Sequence, residues 1–333
     1  MSITSSELVW RRPAEVSDLP TNGGRITSTP ILSGVKNNLF PNVPQAERSA
    51  GSVKYRKVFI HIANDDSLAL IAPKIYVLAP TPGDDRVTIF AGTNTDTQAA
   101  ITGSEQQYGA GVLNANATLG ATTCQVLVEA AADAIFKSGM TVRISDRQTV
   151  DGAGNEQFLT LASDATYSGN VATLTFTATP LAFNFSTVSP TYVSSVLTPG
   201  DAAATVTDWL LTSALGTFDT ANHPVLPHGI GSIEQLWTLT FTSPTTFSAS
   251  GDTVGAIGTG TIGTNFVPAN SAYSKPYFTL PSAGWGGTLA TGNTLQFRTH
   301  PAALKVWYKR TVPAGANSLS ANKVSVGVDG ESE

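Results

Sequence analysis

Bond-making chemistry in this 333-residue chain would have to begin with four histidines, one cysteine and a few carboxylate pairs. His223 and His228 stand five apart in HPVLPH, the nearest approach to a metal pair, with Asp219 and Glu234 as the nearby carboxylates. Two imidazoles leave a tetrahedral zinc site half-built, so these two, like His61 and His300, read as structural. The acidic pairs in NDDS (64–67) and GDDR (83–86) fall between expected strands, where Asp serves a turn by accepting backbone hydrogen bonds. DGAGNE (151–156) is a loose likeness of a calcium loop, but it lacks the alternating ligands and the closing Glu at position twelve.

GTGTIG (258–263) satisfies the glycine spacing of a dinucleotide cradle, yet Pro268 stands where the following helix should run, and no acidic residue occurs between Asp252 and Asp329. Cys124, in CQVLVEA, has no second cysteine to pair with and reads as a small core residue. A glycosidase would need opposed carboxylates in an aromatic groove. Trp209, Trp237, Trp285 and Trp307 supply rings, but LWTLTF and VWYKR read as strands with one face in a core. No catalytic, cofactor-binding or metal-ligating set emerges, and the expectation is a protein that is not an enzyme.

Charged residues make up 13% of the chain, about half of the ~25% usual for soluble domains. Thr, Ser, Ala, Asn and Gly take their place, giving a neutral polar surface suited to lying against other protein. The net charge of −5 offers no basic patch for phosphates, though it permits DNA to pass without sticking. No apolar run reaches the ~18 residues of a membrane span, and MSITSSELVWRR lacks the apolar segment of a secretory signal.

The elements behind these residues are strands. VKYRKVFIHI, KIYVLA and RVTIFAG alternate polar and apolar with β-branched enrichment and are expected to start one sheet. SGMTVRI, SGNVATL, SGDTVGA and TGNTLQF each place a hydroxyl residue and Gly before a strand, a hairpin signature. The expected fold is all-β: a β-sandwich or barrel body from residues 53–104 and 201–333, with a long loop at 250–292, and a small β-domain inserted at 105–200. AAADAIFK (130–137) is the best helix candidate. Residues 1–52 are broken by Pro13, Pro20, Pro30, Pro41 and Pro44, yet carry Trp10, Ile26, Leu39 and Phe40. Proline denies a central strand its ladder donors, so this stretch is expected to be an extended N-terminal arm, burying its apolar side chains on its own body or a neighbouring subunit. SSELVWRR within it can make one helical turn capped by Ser5 or Ser6.

Gly23–Thr27 (GGRIT), Asn37–Pro41 (NNLFP), Glu47–Arg48 and Arg56–Phe59 (RKVF) resemble the opening segments of virion structural proteins of tailed bacteriophages, especially Mu-like siphophages. GWGGTLATGNTLQFRTHPAA and WYKRTVPAGA are similar to the same family's C-terminal half, so the likeness covers roughly half of the chain, at both ends. It implies a virion structural protein, assembled in the host cytoplasm and placed in the viral tail as tail tube or baseplate, with copies of itself and other tail proteins as partners and no cofactor. For a tube, Asp84, Asp85, Asp96 and Asp219 are the candidate lumen-facing acids. A receptor- or glycan-binding appendage using Tyr167, Tyr192 or Phe185, a capsid decoration or head–tail joining protein, and a depolymerase stay open as alternatives.

Overall fold

The computed structural model describes residues 2–333. These residues are nearly all β, with 45% in strands and 5% in helices, and among them no barrel closes. The body opens with β1 (Leu8–Glu15), β2 (Gly23–Pro30), the short helix α1 (Gln45–Ala50), β3 (Ser52–Ile62), β4 (Leu70–Val77) and β5 (Arg86–Ala91). A first insert follows: β6 (Ala110–Leu113), β7 (Thr123–Val128), β8 (Thr141–Ser145), β9 (Glu156–Thr160), β10 (Thr166–Ser168), β11 (Val171–Thr175) and β12 (Tyr192–Ser195). A second contains β13 (Thr205–Thr212), β14 (Gly216–Phe218), β15 (Leu226–Pro227), β16 (Gln235–Phe241), β17 (Thr246–Gly251) and β18 (Gly255–Thr261). It continues through β19 (Ala269–Asn270), β20 (Lys275–Pro276), β21 (Phe278–Thr279), β22 (Trp285–Gly287) and β23 (Thr294–His300). The chain then returns to the body with β24 (Ala303–Val312) and β25 (Val326–Ser332).

The body sheet runs β2-β1-β3-β24-β5, all antiparallel. β4 pairs with β25 in a separate two-stranded sheet. The three strands expected to start one sheet are thus divided: β24 comes between β3 and β5, and β4 lies elsewhere. The reason is hydrophobic. Val58, Ile60 and Ile62 of β3, with Leu304 and Val306 of β24, bury one face of the large sheet against Leu70, Ile75 and Val77 of β4. At about 1.5–3 kcal/mol per buried aliphatic side chain, this layer is the body's main source of stability.

Residues 8–30 do not extend away from the body. β1 pairs with β3 from Leu8↔Ile62 to Arg11↔Phe59, and β2 pairs with β1. The prolines are accommodated by position: register shifts flank Pro13, and Pro30 ends the edge strand β2, where a missing N–H costs no ladder bond. The turn expected near Ser5 is a 3-10 turn over Ser5–Glu7 that begins from Thr4, whose backbone N–H and hydroxyl both donate to Glu7 Oε2.

The first insert has its own seven-stranded sheet and a core drawn wholly from residues 113–193, including Val126, Phe136, Val142, Leu174 and Phe185. AAADAIFK is not a helix there. A 3-10 turn over Ala131–Asp133 ends at Ala134 in the left-handed region, and Ile135 and Phe136 turn into the core; two helical turns cannot outweigh that burial.

Residues 205–300 also form a unit with its own sheet, β13-β23-β16-β17-β18, and an aromatic core of Trp237, Phe241, Phe247, Phe266, Phe278 and Phe297. The passage 250–292, expected as a long loop, holds β18 and four shorter strands. Its glycines permit close packing where they suggested a loop: a Cβ on Gly260 would stand 2.5 Å from the Phe247 ring.

Candidate assembly site on the body sheet

The four N-terminal segments that carry the family likeness meet on the body sheet. Alternation along β3 and β24 puts Lys54, Arg56 and Arg310 on the face of Val58, and Lys57 and Trp307 on the opposite face. On the first face, Phe40 of NNLFP lies under two guanidinium groups, 5.7 Å from Arg56 and 4.8 Å from Arg310. Arg310 also donates to the Pro41 carbonyl at 2.8 Å. Glu47 pairs with Lys54 at 2.8 Å, and Asp18 bridges Lys54 and Arg56 at 2.9 and 2.7 Å. Arg56 further donates to the Ser17 carbonyl. Cation–π geometry and charge-assisted bonds thus tie residues 17–18 and 40–47 to the sheet.

On the opposite face, the Lys57 ammonium is fully buried and has three acceptors: Asp96 Oδ1 at 2.6 Å, the Gly24 carbonyl at 2.7 Å and the Asp96 carbonyl at 3.0 Å. The other Asp96 oxygen accepts from Trp307 Nε1 at 2.7 Å. Burial pushes the lysine below its ordinary range, and Asp96 opposes that shift. Gly23 closes the arrangement. At φ +114° it lies against the Trp307 ring, where an added Cβ would stand 2.9 Å from the ring and 2.8 Å from the Asp96 carbonyl. Only glycine combines that backbone angle with that approach. Lys57, Asp96 and Trp307 are each engaged with another part of the chain, so what the arrangement does is hold segments together.

The lumen candidates are also engaged. Asp84 accepts from the Asn317 backbone and side chain, both at 2.8 Å, bonds that hold its carboxyl below the usual range. Asp85 is buried and bonded to Thr81 and Asn322. Asp96 belongs to the lysine pair. Asp219 accepts from Asn222 and Ala221 within its own turn, which lowers its pKa. Of the proposed glycan contacts, Phe185 is buried, and its neighbour Phe183 is the exposed ring; Tyr167 and Tyr192 are half-buried.

His228 turns Nδ1 to the Ile230 backbone N–H and Nε2 toward Asp65, while the His223 backbone N–H donates to the Asp219 carbonyl. Among the described residues no group of three His, Cys, Asp or Glu is arranged to hold a metal. GTGTIG begins in β18, not in a phosphate turn. Trp237 and Trp307 are fully buried, and Trp209 and Trp285 pack on the second insert's core.

Two histidines gain roles the sequence did not signal. His61 accepts from Arg11 Nε at Nδ1 (2.8 Å) and donates from Nε2 to the Gly229 carbonyl (3.0 Å), fixing a neutral ring between body and second insert. Desolvation, aided by the Arg11 charge, lowers its pKa to about 4. His300 donates to the buried Glu234 at 2.6 Å and accepts from Thr207 at 2.9 Å. Hydroxyl, imidazole and carboxylate thus line up across β13, β23 and the start of β16. The nearby cavity of about 270 Å³ between Arg25, Ile26, Glu234 and Val254 is lined by neither His300 nor Thr207. Arg298 also reaches Glu234, and Asn94 of the body approaches the same imidazole, so the row anchors this junction.

No protein-family model and no curated protein matches this sequence.

Proposed function

We propose that this chain is a structural subunit of a tailed-phage virion, most consistent with a tail component such as a tube or baseplate ring, built from copies of itself. The observation that carries the reading is that GGRIT, NNLFP, Glu47–Arg48 and RKVF meet on the two faces of one sheet, a clasp where Lys54, Lys57, Glu47 and Asp96 are spent on holding chain segments. Those residues are the ones that resemble virion proteins, and their work is architectural. In this reading the body is a two-layer β-sandwich, the large sheet facing the β4–β25 pair. With residues 8–30 bound to their own sheet, the part of the N-terminal arm left for a neighbour is around Leu19, Leu32 and Val35, which are exposed.

The second reading is a receptor- or glycan-binding appendage. It is favoured by the first insert having its own core and an exposed Phe183 beside Leu119. Sedimentation and negative-stain imaging of the purified full chain separate the two readings. A subunit forms rings, stacks or discrete oligomers as concentration rises, and Leu32→Asp with Val35→Asp weakens them. A chain that stays monomeric at every concentration and binds on a glycan array overturns the subunit reading.

A further inference from the structure

The two inserts are attached to the body in different ways. Ala110 and Leu197 of the first insert lie in the body's own hydrophobic core with Ile75 and Ile89, and backbone bridges join Tyr108 to Ile89 and Leu197 to Ile75. The second insert has neither kind of tie. Its core is drawn wholly from residues 206–297, and among the described residues no backbone–backbone hydrogen bond joins residues 205–300 to the body. The chain enters and leaves this unit at Thr205 and His300, which face each other in the β13–β23 ladder. The cavity of about 270 Å³ lies between the two parts, with Ile26 on the body side and Val254 on the other. What crosses the joint is mainly polar. Arg25 donates to the two oxygens of Asp252 at 2.9 and 2.6 Å, and Lys275 donates to Asp65 at 2.7 Å, with His228 3.4 Å from the same carboxylate. His61 donates to the Gly229 carbonyl, and Asn94 approaches His300. Bonds from the Gly229 N–H to Ser67 and from Arg25 to Thr253 complete the set.

We infer that the second insert is hinged on this two-strand neck and that acid releases it from the body as an intact unit. The hinge does not depend on whether the chain is a ring subunit or an appendage. A part with its own core can open without unfolding. His61 is the trigger. Its Nδ1 accepts from Arg11 Nε at 2.8 Å and its Nε2 already carries the proton given to Gly229. A second proton must therefore go on Nδ1, where N–H would face N–H and two cations would meet. The Arg11 guanidinium also lies 4.9 Å from the centre of the Tyr273 ring, which packs edge-on against the imidazole. Parting Arg11 from His61 moves the guanidinium off Tyr273 or the imidazole off Gly229, and either way a contact across the joint is lost. The other contacts respond with the same sign. Lys275 holds Asp65 below the usual carboxylate range, and Arg25, with Arg298 aiding, does the same for Asp252. Burial lowers His228, with Asp65 opposing and Lys275 aiding. The closed joint thus favours the unprotonated form of each group, and closure weakens as pH falls. His61 acts first: at about 4 when closed and about 6.5 when open, it raises the open-to-closed ratio by up to about 300-fold as pH drops between those values. The carboxylates follow below about pH 4. The first insert, tied by apolar burial and backbone bridges, stays attached.

The test places spin labels on the full chain at Leu19→Cys of the body and Leu226→Cys of the second insert, both exposed positions, and dilutes the product with unlabelled protein. The native Cys124 is buried and stays unlabelled. Pulsed electron–electron distance measurement gives one narrow distribution at pH 7, which broadens reversibly to longer distances between pH 6.5 and 4. Two control pairs keep their distributions: Leu226→Cys with Val267→Cys, both in the second insert, and Leu19→Cys with Leu119→Cys, from body to first insert. The amide of His61→Gln accepts from Arg11 and donates to Gly229 without titrating, so this variant cuts the change in open-to-closed ratio over the same range at least tenfold. A body-to-second-insert distribution that is constant down to pH 4, broadening of either control pair, or an unaltered response in His61→Gln overturns the inference.

Discussion

Lys57→Met tests the clasp directly. The substitution keeps the length and apolar stem of the side chain and removes the ammonium. Three bonds disappear: one to the Asp96 carboxylate and two to the Gly24 and Asp96 carbonyls. Asp96 keeps Trp307 Nε1 at 2.7 Å and the Thr93 N–H at 3.0 Å, so its charge is only partly orphaned. Breaking a buried ion pair from one side costs about 3–5 kcal/mol; with these two donors retained, about 3 kcal/mol is expected. Lys54→Met is the control. Its partners include the half-exposed Asp18, and such pairs contribute about 0.2–1 kcal/mol. The three separate cores make a single unfolding transition a poor measure, so the assay is amide hydrogen exchange across residues 8–30. Lys57→Met should speed exchange there roughly a hundredfold, the factor equivalent to about 3 kcal/mol, and Lys54→Met by less than tenfold. Equal effects of the two variants, or an Lys57→Met effect confined to the inserts, would refute the assignment of Lys57 as the anchor.

Gly23→Ala should destabilise the same region by about 2 kcal/mol or more, from a strained backbone and a clash with Trp307, read in the same exchange experiment. His61 titrates at about 4 in the fold, against about 6.5 in an unfolded chain. The unfolded state therefore binds the extra proton first, and stability falls as pH drops from about 6.5 to 4, by up to about 3 kcal/mol. Denaturant melts across that window should show the decline, and His61→Gln should flatten it. Burial pushes the Cys124 thiol up to about 12, so a thiol reagent at pH 8 should label it only when the first insert opens; labelling as fast as in denaturant would contradict its place in the core.

Strands were legible wherever alternation or a glycine turn marked them. Gly139, Gly169 and Gly292 do take positive φ before β8, β11 and β23. Gly251, the fourth of that set, instead lies against Trp237, a packing role that local sequence does not reveal. The pairing of strands was far less legible. β24 joins β3 across 240 residues of intervening chain, and only the complementary burial of Val58, Ile60, Leu304 and Val306 decides it. The independence of residues 205–300 was hidden for a similar reason, since a Gly- and Thr-rich passage looks like loop until Phe247 and Phe266 are seen packing on its glycines. In the clasp, GGR and NNLFP stood out as patterns, but their partners Asp96 and Arg310 lie too distant in sequence to be matched without the fold.

The position of β24 has a consequence for biosynthesis. The strand that links β3 to β5 in the body sheet emerges from the ribosome only after both inserts, at residue 303. At about 5–20 residues per second, β3 waits on the order of ten to fifty seconds with one long edge bare. During that interval the nascent chain holds two finished inserts tethered to an unfinished platform. Completion of the platform, and with it the firm seating of the leader segment, is deferred to the last moments of synthesis.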